Sequence, residues 1–131
     1  MTIRTARIYG APEVEKDEIP LLVDRLWPRG LAKDRLPGLR WMKEWAPSSG
    51  LRQWYHAHPG EFESFRDRYL TELEGARERI SGDIAALEKE SERSGRRLRL
   101  LLLYGSRDTE RNNAVVLRDY LASLDRPRPI P

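Results

Sequence analysis

The chain reads as an α/β protein, a small single domain with a short, mainly parallel sheet flanked by several helices. Three observations predict it. Apolar stretches of strand length occur at residues 3–9, 21–25 and 97–103. Segments with three- and four-residue apolar spacing lie between the second and third of these and after the third. The runs at 21–25 and 100–103 do not alternate with polar residues, as expected of strands covered on both faces in a parallel sheet. The order strand, strand, helices, strand, helix suits this class better than a helix bundle. A chain of 131 residues fits one hydrophobic core. The domain is expected over 1–124, with a proline-rich tail at 125–131.

Each element has its own signal. Residues 3–9, "IRTARIY", give a first strand with soft boundaries, and "GAPEVEKDEIP" a polar connection rich in turn formers. Leu21-Leu22-Val23 is an apolar run ending in Asp24 and Arg25. Pro28, Gly30, Pro37, Gly38 and Pro47 then break the chain repeatedly. Leu39–Trp45 is expected as a short helix, which would set Trp41 and Trp45 on one face. Ser48 or Ser49 can cap the next helix, ending near His58. A longer helix is expected after Pro59, burying Phe62, Phe65, Tyr69 and Leu73. Another spans roughly 76–94 with Ile80, Ile84 and Leu87 inward, stopped by Ser94 and Gly95. "RLRLLLLY" is the strongest strand signal, and "GSRDTERNN" turns from it into a last helix capped by Asp108 or Thr109. Val116, Leu117, Tyr120, Leu121 and Leu124 form that helix's apolar stripe.

Composition removes several chemistries. With no cysteine, disulfide scaffolds, thiol nucleophiles and cysteine-ligated metals are excluded. No stretch approaches the ~20 apolar residues needed to span a bilayer, and the arginine-bearing N-terminus is unlike a signal peptide. A cytoplasmic protein without membrane attachment is expected. His56 and His58 are the only histidines, too few for a metal site without several carboxylates, so no metal and no cofactor are expected. Glycine-rich phosphate loops and the G-x-S-x-G nucleophile motif are absent. Basic residues number 24 against 21 acids, a surplus too small to drive strong polyanion binding.

The chemistry concentrates at two strand ends. If 21–25 and 98–103 pair in parallel, their following loops emerge at one sheet edge, where open parallel sheets bind ligands. Asp24, Arg25 and Arg29 would then meet Arg107, Asp108 and Asn112. The arginines offer planar donor forks for phosphate or carboxylate. The start of the last helix would add backbone N–H groups near 109–112. An internal ion-pair network pinning the two loops together explains the same residues. Trp27 can stack on a ligand or anchor its loop, and Tyr104 has a hydroxyl that needs a partner if buried.

"LLVDRLWPRG", "WAPSSGLRQWY", "FRDRYLTEL" and "LLLYGSRDTERNNAVVLRDYL", in that order, resemble the YeaO-like group of domain-of-unknown-function family 488 over residues 3–124. The resemblance implies a compact α/β domain and supports grouping the two strand-end segments, but it carries no activity. Its motif positions fall on Asp24, Arg25, Trp27, Pro28, Arg29 and Gly30, then Tyr104, Asp108, Asn112 and Asn113. Where some relatives carry a histidine, this chain has Asn113, which removes a proton-transfer group. More distant relatives carry cysteines near the last strand and helix; Tyr104 and Asn112 stand in that region here, so a thiol mechanism is ruled out.

The function expected is binding of a small anionic or nucleotide-like ligand at the strand-end Arg/Asp pocket. Two alternatives accompany it. One is a hydrolase-like enzyme using Asp24 or Asp108 as acid or base. The other is nucleic-acid binding through Arg93, Arg96, Arg97 and Arg99 with Arg126 and Arg128 of the tail.

Overall fold

Leu100 to Leu103 are four consecutive residues with no exposed surface, so the strand they form must be covered on both faces. The computed structural model describes residues 1–124; the proline-rich segment 125–131 lies outside the described residues. Four strands, β1 (Thr2–Arg7), β2 (Glu18–Leu22), β3 (Arg40–Trp41) and β4 (Arg99–Tyr104), form one sheet in the order β1-β4-β2-β3. Every pairing is parallel. Thr2 to Arg7 run beside Arg99 to Tyr104, while Glu18 to Leu22 run beside Arg99 to Leu103 on the other side.

The alternation of side chains across β4 sorts the core into two layers. Leu100, Leu102 and Tyr104 face the helices α1 (Ser49–Ala57), α2 (Phe62–Gly75), α3 (Arg77–Arg93) and α4 (Asn113–Leu124), where they join Phe65, Tyr69, Leu73, Ile80 and Leu117. Leu101 and Leu103, with Leu22 and Ile8, face the other way, under Val14, Trp27, Leu31, Leu36 and Leu39. Loops, rather than helices, therefore cover the second face. Each fully buried leucine contributes roughly 1.5–3 kcal/mol relative to exposure, which is why these irregular loops close over the sheet.

The helices follow the apolar stripes. Phe65, Tyr69 and Leu73 of α2, Ile80 and Leu87 of α3, and Val116, Leu117, Tyr120 and Leu121 of α4 are buried. Ser48 is the cap of α1, its Oγ accepting the Leu51 N–H at 3.1 Å. Pro59 lies in the turn before α2, which starts only at Phe62.

Two expectations are corrected. Residues 39–45 are not a helix: Arg40 and Trp41 pair with Leu21 and Leu22, and a single 3-10 turn follows at Lys43–Trp45. The segment lies between Pro37-Gly38 and Pro47, too short for a stable helix, and the open flank of β2 offers backbone partners. Trp45 is accordingly fully buried while Trp41 is 41% exposed. The strand expected at 21–25 starts three residues earlier and contains Pro20. Val23 N–H bonds Leu103 O and Met42 N–H bonds Leu22 O. Even-numbered residues of β2 thus turn their backbone toward β3, which reaches only Leu21 and Leu22. The missing N–H of Pro20 falls on an unpaired stretch, where proline is tolerated.

Candidate functional site

Parallel strands bring Arg7, Leu22 and Tyr104 out at the same edge, so the residues that follow them are neighbours. Asp24 organises this edge. Its Oδ2 accepts the Gly105 N–H at 2.8 Å and its Oδ1 accepts Asn113 Nδ2 at 3.1 Å. The same Asn113 amide donates to Val23 O at 2.9 Å. Trp41 Nε1 donates to the Asp24 carbonyl at 2.8 Å. One residue thereby ties the exit of β4, the start of α4 and the edge strand β3.

Gly105 suits this closeness, since any side chain there would press on the Asp24 carboxylate. A Cβ there would lie 3.1 Å from Asp24 Oδ2 and 3.6 Å from the Tyr9 ring. Burial raises the Asp24 carboxyl above its ordinary range, opposed by the Gly105 and Asn113 hydrogen bonds and by the charge of Arg52. Arg52, on α1, has a buried Nε with no hydrogen-bond partner among the described residues.

The loop before α4 is internally satisfied. Asp108 Oδ1 accepts the N–H groups of Glu110 and Arg111 at 3.0 and 2.9 Å, and these bonds hold its carboxyl below the usual range. Asn112, 2% exposed, caps α4: its Oδ1 accepts Val115 N–H at 2.9 Å, and its Nδ2 donates to Asp108 O at 2.9 Å. The cap is therefore Asn112, not Asp108 or Thr109. The backbone donors expected to receive an anion near 109–112 include two that already serve the carboxylate of Asp108. Tyr104 is buried, and desolvation raises its hydroxyl pKa, opposed by the nearby Asn112 side chain.

The three arginines are placed differently from one another. Arg25 turns toward the 3-10 segment, with Nε donating to Pro47 O at 3.1 Å and Nη2 to Ala46 O at 3.2 Å. It lines a cleft of about 410 Å³ with Glu44, Ser48, Tyr69 and Glu72, a cleft that Asp24 does not line. Arg29 and Arg107 are exposed. Trp27 anchors its loop: Nε1 donates to Leu31 O at 2.8 Å, and the ring meets Trp41 edge-on at 5.5 Å.

Residues the motifs did not single out complete the edge. Arg7 Nε donates to Ser106 O at 3.1 Å, and its guanidinium lies 5.0 Å from the Tyr9 ring centre. The Tyr9 hydroxyl donates to Arg29 O at 2.8 Å. A chain of contacts thus runs from the Arg29 backbone to the residue beside Arg107. Arg7 and Tyr9 lie at the end of the first strand, and that position was their signal.

The four arginines proposed for nucleic acid are partly engaged: Arg96 pairs with Asp17 at 2.7 Å and Arg99 with Glu15. Arg126 and Arg128 lie outside the described residues. His58 stacks on Trp54 at 4.8 Å, its Nδ1 2.8 Å from Trp54 O. Among the described residues no helix is long and apolar enough to cross a membrane.

Comparison with known proteins agrees along nearly the whole chain. The Escherichia coli (strain K12) "Uncharacterized protein YeaO" is 38% identical over 124 residues, covering 95% of this chain and 100% of that protein. The Mycobacterium tuberculosis (strain ATCC 25618 / H37Rv) "Uncharacterized protein Rv3073c" is 36% identical over 120 residues, covering 91% and 92%. No solved structure matches significantly. The family model described as "Inactive DUF488-N3 subclade" matches residues 2–127, and the chain therefore belongs to this subclade of the DUF488 family, with YeaO among its relatives.

Proposed function

We propose that this chain is a non-catalytic binding protein that takes a small anionic or nucleotide-like ligand at the C-terminal edge of its sheet. One observation carries the reading. Arg29 and Arg107, on the loops that follow β2 and β4, are exposed and their side chains make no hydrogen bond or ion pair among the described residues. Their loops are held to one another through Tyr9, Arg7 and Ser106. Two fork-shaped donors on a braced frame suit a phosphate or carboxylate. Asp24, Tyr104, Asp108, Asn112 and Asn113 build the frame, while Arg25 and Trp27 secure the loop that carries Arg29.

The hydrolase alternative has less to support it. Both Asp24 oxygens hold donors, and Asp108 already serves two backbone N–H groups. The word "inactive" in the family description points the same way.

Calorimetry with inorganic phosphate, pyrophosphate and a set of nucleoside monophosphates tests the proposal. At least one should bind, and the double variant Arg29→Ala/Arg107→Ala should weaken it by about tenfold or more with unchanged melting. Binding by none of them, or equal binding by the double variant, defeats it.

A further inference from the structure

Positive charge gathers in two stretches of the chain, residues 93–99 and residues 29–43, and the second also carries exposed aromatic surface. Residues 29–43 hold five basic side chains, Arg29, Lys33, Arg35, Arg40 and Lys43, and one acid, Asp34, a net of +4. The whole chain is +3, so everything else sums to −1. All five cations are exposed. Arg40 is committed to Glu90 through two bonds of 2.8 Å. Lys33 and Arg35 make no ion pair among the described residues.

An aromatic platform sits in the same stretch. Trp41 is 41% exposed on the two-residue edge strand β3, and Leu26, next in sequence to the Trp27 that meets the Trp41 ring, is 54% exposed. Its ring is nevertheless fixed, by the Nε1 bond to Asp24 O and by Trp27 edge-on. The Lys43 ammonium lies over one face of the ring, 5.4 Å from its centre, so a base stacking on that face displaces it toward the phosphates. An indole held rigid at the surface is costly to leave in water and loses little freedom when a flat partner lies against it. Trp41 contributes little to the core, and its partner Trp27 already anchors the loop.

From exposed cations and an exposed indole on one stretch of chain we infer that the surface around Trp41 binds single-stranded nucleic acid, a base stacking at Trp41 and the backbone phosphates meeting Lys33, Arg35 and Lys43. Charge complementarity selects a polyanion, and the exposed ring selects one whose bases are unpaired. This surface adjoins the loop that carries Arg29, but its proposed contacts are Trp41, Lys33, Arg35 and Lys43, so variants at those residues distinguish it from the Arg29/Arg107 reading.

Fluorescence anisotropy with a labelled oligothymidine of about 12 nucleotides tests it, in the size range such sites cover. The protein should bind at ~50 mM salt, and affinity should fall about 20-fold on raising salt to ~200 mM, the response expected of three phosphate contacts on a single strand. Lys33→Glu/Arg35→Glu should lose well over tenfold. Trp41→Ala should lose about tenfold, and Trp41→Phe, which keeps a stacking face, much less. Absence of binding at ~50 mM salt, wild-type affinity in the Lys33/Arg35 variant, or equal affinity for the same sequence as duplex would each overturn the inference. The Lys33/Arg35 substitutions lie on exposed side chains, so this variant decides the matter even if Trp41→Ala unfolds.

Discussion

At the scale of single residues, Asp24 acts as a structural acceptor whose neighbours set its ionisation. Asn113 serves both Asp24 Oδ1 and Val23 O. Asn113→Ala leaves both acceptors without that donor and should cost about 1–3 kcal/mol, read by urea unfolding. It should also raise the Asp24 pKa further, followed by carboxyl NMR titration; an unchanged titration would contradict the geometry. The sign of the pH linkage follows. Because the folded pKa of Asp24 is raised, its contribution is full below the ordinary value of 3.8 and is lost as pH climbs through the folded value. Glu18 behaves oppositely. Arg4 grips it at 2.6 and 2.7 Å and lowers its pKa, so its contribution is present above 4.5 and lost as pH falls through the folded value. Glu18→Gln should therefore flatten the acid limb of the stability curve. That Asp24 would need partners was legible, because a carboxylate at a buried strand end must be satisfied, whereas Asn113 was marked only by the family resemblance. The direction of Arg25 was not, because its acceptors are backbone carbonyls 21 and 22 residues away.

At the scale of elements, helices were legible wherever an apolar stripe repeated, as in Phe65, Tyr69 and Leu73. The edge strand was not, because Arg40 and Trp41 carry no pattern and owe their conformation to the open flank of β2. Tertiary pairing overrode local spacing there. Pro20 hid the start of β2 for a related reason, since which side of a strand lies unpaired is a property of the assembled sheet. The junction of α1 and α2 depends on one cap. Ser48 Oγ donates to Glu72 Oε2 at 2.6 Å while accepting Leu51 N–H, and Ser48 N–H donates to Glu72 Oε1 at 2.8 Å. Ser48→Ala removes the cap and one of the two Glu72 bonds and should destabilise the protein by about 1–2 kcal/mol. Glu72→Gln should cost less, because one oxygen acceptor survives. Thermal unfolding of both variants checks the order, and equal losses would contradict it, placing the weight of the junction on the Glu72 carboxylate as much as on the cap.

At the scale of the whole molecule, the sheet has unlike covers. Four helices with their own backbone hydrogen bonds lie on one face, and loops spanning 8–17 and 23–39 lie on the other. Both bury leucines of the same strand, so both contribute to the core. Their backbones differ in resistance to opening. The loop cover relies on scattered bonds such as Leu31 N–H to Pro28 O and Leu39 N–H to Leu36 O, each 3.2 Å, and on the Trp27 and Tyr9 side chains. Segments with few cooperative backbone bonds open at lower free energy than the global unfolding. Native-state hydrogen exchange should therefore show Leu31 and Leu39 exchanging through local openings. The amides of β4 and the centre of α4 should exchange only with global unfolding. Trp27→Ala, which removes the ring from the Leu22, Leu101 and Leu103 layer, should speed exchange across 27–39 while leaving α2 and α4 protected relative to the new global stability. Uniform acceleration across both faces would mean that the two covers unfold as one unit.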